Sequence, residues 1–263
     1  MHSILLSGMM DACRNAGDFQ LEHLRTLTTD SISDKGLNQL VSFVDVESEK
    51  MLVQYLKKLR PDAGFITEEN TAPNDSESHS VWIIDPLDGT TNFLHGLQVF
   101  SISIALMEDK IVTAGVIYAP ALKEIFCAEK NGGAFLNNSP IKVSLTSELR
   151  ESLIATGFPY YEFQQTRAYL DLLGELMKTT HGLRRLGSAA IDLAYTACGR
   201  FDGFYETGLN AWDVAAGALL VAEAGGVVSD FHQKENHLFG KQIVAANPTV
   251  YRQLQPLTQS YLG

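Results

Sequence analysis

The sequence predicts a layered α/β fold with an antiparallel first sheet and a mixed second sheet. Three observations carry this. Helix-like periodicity marks the first thirty residues and Val44 to Leu59, and apolar strand-like runs with tight turns dominate from Val81 to Ala128. From about Ser147 onward, helices alternate with short strands. At 263 residues the chain suits one large domain or two intimate halves.

The first thirty residues read as a helix, with Met9-Met10, Cys13, Phe19 and Leu24 punctuating polar positions and Gly17 weakening the middle. Asp30 to Leu40 is polar and reads as a mobile loop. A second helix spans Val44 to Leu59 and stops at Pro61. Phe65-Ile66-Thr67 is a short strand leading to Glu68-Glu69, and Thr71 to Ser80 is a hydrophilic loop. Strands are expected at Val81–Ile84, Val99–Met107, Ile111–Tyr118 and Glu124–Ala128, with Glu108-Asp109-Lys110 linking two of them as a hairpin and another turn at Asn131–Phe135. In the second half, Leu153–Ala155, Phe201–Tyr205, Gly226–Ser229 and Gln242–Ala245 are strand candidates. Thr166–Lys178, Ala189–Cys198, Val214–Ala224 and Pro248–Leu262 are helix candidates.

Composition narrows the function. Hydrophobic residues make up 45% of the chain, enough for a sizeable core. No apolar run approaches the roughly 18 residues of a membrane helix, and the N-terminus does not read as a signal peptide. Cys13, Cys127 and Cys198 are far apart and odd in number, which suits a reducing cytoplasm. A net charge of −11 disfavours nucleic acid, whose phosphates need a basic face. An acidic enzyme acting on anions then needs positive charge in its site, and bound metal ions supply it.

The most informative segment is Asp85-Pro86-Leu87-Asp88-Gly89-Thr90-Thr91-Asn92-Phe93, which follows the apolar run Val81-Trp82-Ile83-Ile84. Two carboxylates on one proline-fixed turn suit a hard divalent cation. The N–H groups after Gly89 suit an anion if a helix starts there. Asp45, Glu68-Glu69 and Asp213 also lie where strands end or helices begin, the usual place for a site. Asp45 reads equally as a helix N-cap, Asp213 as an acid favoured at a helix start, and Glu68-Glu69 as a solvated pair.

The segment Trp82–Phe93 resembles the first signature of the inositol monophosphatase family. Trp212-Asp213-Val214-Ala215-Ala216-Gly217, continuing to Gly226, resembles its second. Asp45, Glu68-Glu69, Gly187-Ser188-Ala189-Ala190 and Tyr205-Glu206 match further family elements, so the resemblance covers nearly the whole chain. It implies the family's layered α/β/α/β/α sandwich, as a single compact unit over 1–263 with approximate halves 1–146 and 147–263. It also implies a Mg²⁺-dependent, Li⁺-sensitive phosphomonoesterase with two or three Mg²⁺ per site. By resemblance Asp85 bridges two ions, Glu68 and the Leu87 carbonyl complete one site, and Asp88 and Asp213 complete the other. A third ion sits by Glu68 through waters. Thr90 holds the attacking water and Asp45 takes its proton. Gly89, Thr90 and Thr91 cradle phosphate. Asp88, Glu206 and the Gly187-Ser188-Ala189 stretch contact substrate, and Asn210 lies nearby. Lys35 resembles a family lysine near the metals.

The chain departs from the pattern at two positions: Thr67 stands where the family has glycine, and Asn210 where many members carry a basic residue or histidine. The implied substrate is a small phosphorylated polyol or sugar, with myo-inositol monophosphate first. Fructose 1,6-bisphosphate, histidinol phosphate and 3′-phosphoadenosine 5′-phosphate are alternatives. Thr91-Asn92 in place of the nucleotide enzymes' Lys-Glu disfavours the last. A homodimer is implied as well. Some bacterial relatives contact the transcription machinery, which makes a regulatory binding protein the remaining alternative. Arg184-Arg185 reads as a surface or dimer-contact pair, with binding of an anion or a partner as the alternative, Cys198 reads as a core helix residue, and the histidines show no ligand spacing.

Overall fold

The computed structural model of the chain describes residues 2–25, 32–36, 39–158 and 163–263. Helix α1 (Ile4–His23) starts at Ser3, whose hydroxyl accepts the Leu6 N–H at 3.0 Å. It runs unbroken through Gly17, which lies against Tyr118 and Pro120. The expected loop over Asp30 to Leu40 lies partly outside the described residues. Where described, it is instead an antiparallel pair, β1 (Ile32–Gly36) with β2 (Gln39–Ser42), in which Ile32 faces Ser42. Ile32, Leu40 and Val41 supply strand propensity that the polar stretch concealed. Helix α2 (Phe43–Leu59) begins at Ser42, and Asp45 is its third residue rather than its N-cap.

The first sheet has seven strands in chain order: β3 (Gly64–Thr67), β4 (Ser80–Asp88), β5 (Ser101–Glu108), β6 (Ile111–Ala119), β7 (Glu124–Glu129), β8 (Gly133–Leu136) and β9 (Ser139–Ile141). It is antiparallel from β4 to β9, with β3 added parallel to β4 at the edge. The Asn131–Phe135 turn gives way to β8 at Gly133. The Glu223 carboxylate fixes this corner by accepting the N–H groups of Asn131 and Gly133 at 2.7 and 2.9 Å. After α3 (Thr90–Leu94), β10 (Leu153–Thr156), α4 (Thr166–Thr179), β11 (Gly182–Arg184), α5 (Ala189–Ala197), β12 (Gly203–Thr207), α6 (Ala211–Glu223), β13 (Val227–Ser229), β14 (Gln242–Ala246) and α7 (Pro248–Leu262) complete the chain. The second sheet runs β11-β10-β12-β14-β13 and is mixed: β10 is parallel to β11 and β12, while β14 is antiparallel to β12 and β13.

Period-2 alternation builds the layers. On β4, Trp82 and Ile84 pack with α1 and α2, whereas Val81 and Ile83 face α5 and α6. On β14, Ile243 and Ala245 face α5 and α6 from the other side, while Val244 and Ala246 pack with α4 and α7. Both sheets are therefore covered on both faces, giving an α/β/α/β/α sandwich. This is why the central strands read as continuous apolar runs. No helix among the described residues is long and apolar enough to cross a membrane. Cys13, Cys127 and Cys198 are free thiols.

Candidate active site

The Asp85–Asp88 motif lies on a strand that changes parity. Residues three apart on an unbroken strand point to opposite faces. Here Asp85 pairs with Ser103 but Asp88 pairs with Ser101, so β4 holds one extra residue between them. Pro86, which has no N–H to contribute, lies in this bulge. The bulge brings Asp85 and Asp88 to one side, where Asp213 joins them: one carboxylate oxygen from each lies within 4.8 Å of the others. Asp213 arrives as the third residue of α6, its Oδ2 accepting the Asn210 N–H at 2.6 Å. The Leu87 N–H binds Asp85 Oδ1 at 2.9 Å, and the buried Gln20 of α1 donates to the Pro86 carbonyl at 2.7 Å.

Two elements back this cluster. On α2, Asp45 accepts the Ser42 N–H at 2.9 Å, the Ser42 hydroxyl at 2.6 Å and the Thr90 hydroxyl at 2.9 Å. Thr90 also reaches the Leu87 carbonyl at 3.0 Å. One turn later the buried Glu49 accepts the Glu69 N–H at 2.7 Å, the Thr71 N–H at 2.7 Å and the Thr71 hydroxyl at 2.8 Å. This clamps the turn that carries Glu68. On α5, the Ser188 hydroxyl and the Ala190 N–H bind Asp88 Oδ2 at 2.5 and 2.8 Å.

Gly89 precedes α3 with φ +95°, a left-handed conformation suited to glycine. Gly157 is equally constrained, since a Cβ there would lie 1.8 Å from the Glu206 carboxylate.

A cavity of about 260 Å³ opens over these groups, below the roughly 300–1,000 Å³ of drug-sized sites, so it suits a small ligand. Seven carboxyl side chains line it against a single guanidinium, that of Arg185, among the described residues. Burial, reinforced at most of them by neighbouring acids, raises Glu68, Asp85, Asp88, Asp192, Glu206 and Asp213 above their ordinary range. Burial pushes Asp88 up to about 6, restrained by the Ser188 and Ala190 hydrogen bonds. Burial and then the charge of Asp88 push Asp213 up to about 7. Burial, with Asp213 second, raises Glu68 well up; burial, with Glu68 second, does the same to Asp85. Oxygen ligands this crowded, hard and short of positive charge fit divalent cations such as Mg²⁺.

Glu68, Asp85, Leu87, Asp88, Thr90 and Asp213 line this cavity, and Asp45 reaches it through the Thr90 hydroxyl. Gly89, Thr91, Gly187, Ser188, Ala189, Glu206 and Asn210 line the same cavity. The Ser188 side chain, however, is buried and held to Asp88. Lys35 lies in β1, and its side chain lies outside the described residues. Arg184 is exposed, but its neighbour Arg185 lines the cavity rather than a plain surface. Cys198 closes α5 and is half-buried. Sequence reasoning missed the roles of Glu49, Gln20 and Asp192. Asp192 carries a signal that was there to read: it is the one charge in the apolar helix Ala189–Ala197.

The chain belongs to the inositol monophosphatase family, whose profile matches residues 3–262. It is 43% identical to an inositol-1-monophosphatase of Mesorhizobium japonicum over 252 residues, covering 96% of this chain and 95% of that one. It is 40% identical to the Nus factor SuhB of Escherichia coli K12 over 248 residues, covering 94% and 93%. Among solved structures, the extragenic suppressor protein suhB of Bartonella henselae matches with a TM-score of 0.91 at 40% identity, covering 97% and 98%. An IMPase of Thermotoga maritima matches with 0.87 at 34% identity, covering 96% of each chain.

Proposed function

We propose that the chain is a Mg²⁺-dependent phosphomonoesterase that hydrolyses myo-inositol monophosphate to inositol and phosphate. The observation that carries this reading is the convergence of Asp85, Asp88 and Asp213 within 4.8 Å, with the Thr90–Asp45 hydrogen bond beside it. Asp85, Glu68 and the Leu87 carbonyl would hold one Mg²⁺, and Asp85, Asp88 and Asp213 a second; a third would sit near Glu68 through waters. When bound, the cations supply charge neutralisation for the phosphate and lower the pKa of water.

The chain's own groups do the rest. Thr90 Oγ1 receives the proton of the attacking water as it passes its own to Asp45 Oδ1. Burial holds Asp45 above the usual carboxylate range, restrained by the Ser42 and Thr90 hydrogen bonds, which suits it to accept a proton. The N–H groups of Gly89, Thr90 and Thr91 at the start of α3 orient the phosphate. Glu206, Asp88 and the Gly187–Ala189 backbone face the leaving alcohol, with Ser188 acting by holding Asp88 and Asn210 by holding Asp213.

Purified protein assayed for phosphate release from inositol 1-phosphate, fructose 1,6-bisphosphate, histidinol phosphate and 3′-phosphoadenosine 5′-phosphate tests this. Mg²⁺-dependent, Li⁺-inhibited turnover with inositol 1-phosphate preferred is expected. No Mg²⁺-dependent release from any of the four overturns the reading. The same reading carries a homodimer, testable by light scattering, and a cytoplasmic setting, supported by the free thiols. A second reading, a transcription-associated role, is favoured by the relatives named Nus factor SuhB. Capture of RNA polymerase components by a protein without turnover would favour it over the first.

A further inference from the structure

Asp192 is a buried carboxyl of the cavity that the proposed reaction leaves unused. It stands in the first turn of α5 and is 1% exposed. Its Oδ1 is buried without a hydrogen-bond partner among the described residues, yet the side chain lines the active cavity. An unpaired buried carboxyl is costly to keep. A helix-start acid needs no such burial, because the dipole favours a negative charge equally well at the surface. Asp192 is also not part of the carboxylate group within 4.8 Å that suits a cation. Its charged surroundings are Glu206 and Asp88, which oppose its ionisation, and Arg185, which favours it. Asp192 and Glu206 thus line one cavity within electrostatic reach of each other, with the Arg185 guanidinium also within reach of both. Carboxyls and a guanidinium grouped in this way offer hydrogen-bond partners to the hydroxyls of a polyol.

We propose that Asp192 is a specificity-determining residue that accepts a hydrogen bond from a leaving-group hydroxyl distal to the phosphate ester, so that with Arg185 and Glu206 it selects polyol phosphates over phosphates whose alcohol carries no further hydroxyl. The proposal rests on the phosphatase reading and deepens it. A bound polyol would supply the donor that Asp192 lacks, and a substrate without that hydroxyl leaves the carboxyl unpaired.

The test compares wild type with Asp192→Asn and Asp192→Ala on myo-inositol 1-phosphate and on p-nitrophenyl phosphate. The ratio of kcat/KM for the polyol to that for the aryl substrate should fall roughly 10- to 100-fold, the range for a lost hydrogen bond to a charged group. The Tm of Asp192→Asn should hold or rise, since the amide cannot acquire the charge that burial and the neighbouring acids oppose. A ratio that stays constant overturns the proposal, whether both activities fall together or neither changes. Wild type that releases phosphate from neither substrate with Mg²⁺ present overturns the phosphatase reading instead. The subsite is then decided by calorimetry with myo-inositol itself: binding weakened in Asp192→Asn supports it, and equal or absent binding overturns it.

Discussion

Gly89 shows how one residue sets the site. Its φ of +95° strains any side chain, and the Gly187 and Val99 carbonyls 3.1 Å from a Cβ would have to give way. Gly89→Ala should cost about 1–3 kcal/mol of stability and displace Thr90, measured as a lowered denaturation midpoint together with lost phosphate release. Thr90 is the next link. Its hydroxyl touches both Asp45 and the Leu87 carbonyl. Thr90→Ser should retain most turnover, whereas Thr90→Ala should lose roughly 10²- to 10⁴-fold in kcat with little change in Tm. Equal activity in the two variants would exclude a relay through this oxygen.

At the scale of elements, α2 works as a backing rod. Asp45 and Glu49 lie four residues apart, hence on one helical face, and both are buried on the side that meets the candidate site. Asp45 addresses the β4–α3 junction and Glu49 the turn after β3. Glu49→Gln turns one acceptor oxygen into a donor facing N–H groups. The turn carrying Glu68 should loosen, and the Mg²⁺ concentration for half-activation should rise roughly 10- to 100-fold, as for other residues that support metal ligands. A Mg²⁺ titration of phosphate release reads this directly, and an unchanged half-activation point excludes the role.

At the scale of the whole molecule, the fold gathers acids that repel one another. Asp88 at about 6 and Asp213 at about 7 lie above their unfolded values, and Glu68, Asp85, Asp192 and Glu206 shift the same way. The native metal-free protein therefore binds more protons than the unfolded chain. The stability these groups contribute is fully present below an unfolded pKa of about 4 and is lost as pH rises through about 7. The Tm in chelator should fall between about pH 5 and pH 8, and added Mg²⁺ should restore it more at the higher pH. A Tm in chelator that is flat or rises with pH would contradict this.

Much of this was legible in the chain. Period-3.6 and period-2 patterns locate α1, α2 and β4 to β7, because burial on one or both faces writes itself into sequence. The short elements β8, β9, β11 and α3 were not legible, since three to five residues carry too little periodicity. Asp85, Asp88, Glu68 and Asp213 could be read as ligand candidates, because their residue type and place at strand ends and helix starts are local properties. The meeting of Thr90 with Asp45, of Glu49 with the Glu68 turn and of Asp192 with the cavity belongs to tertiary structure alone. Those contacts join residues between 20 and more than 100 positions apart. Only the packing of α2 and α5 against the bulged end of β4 decides which side chains face the site.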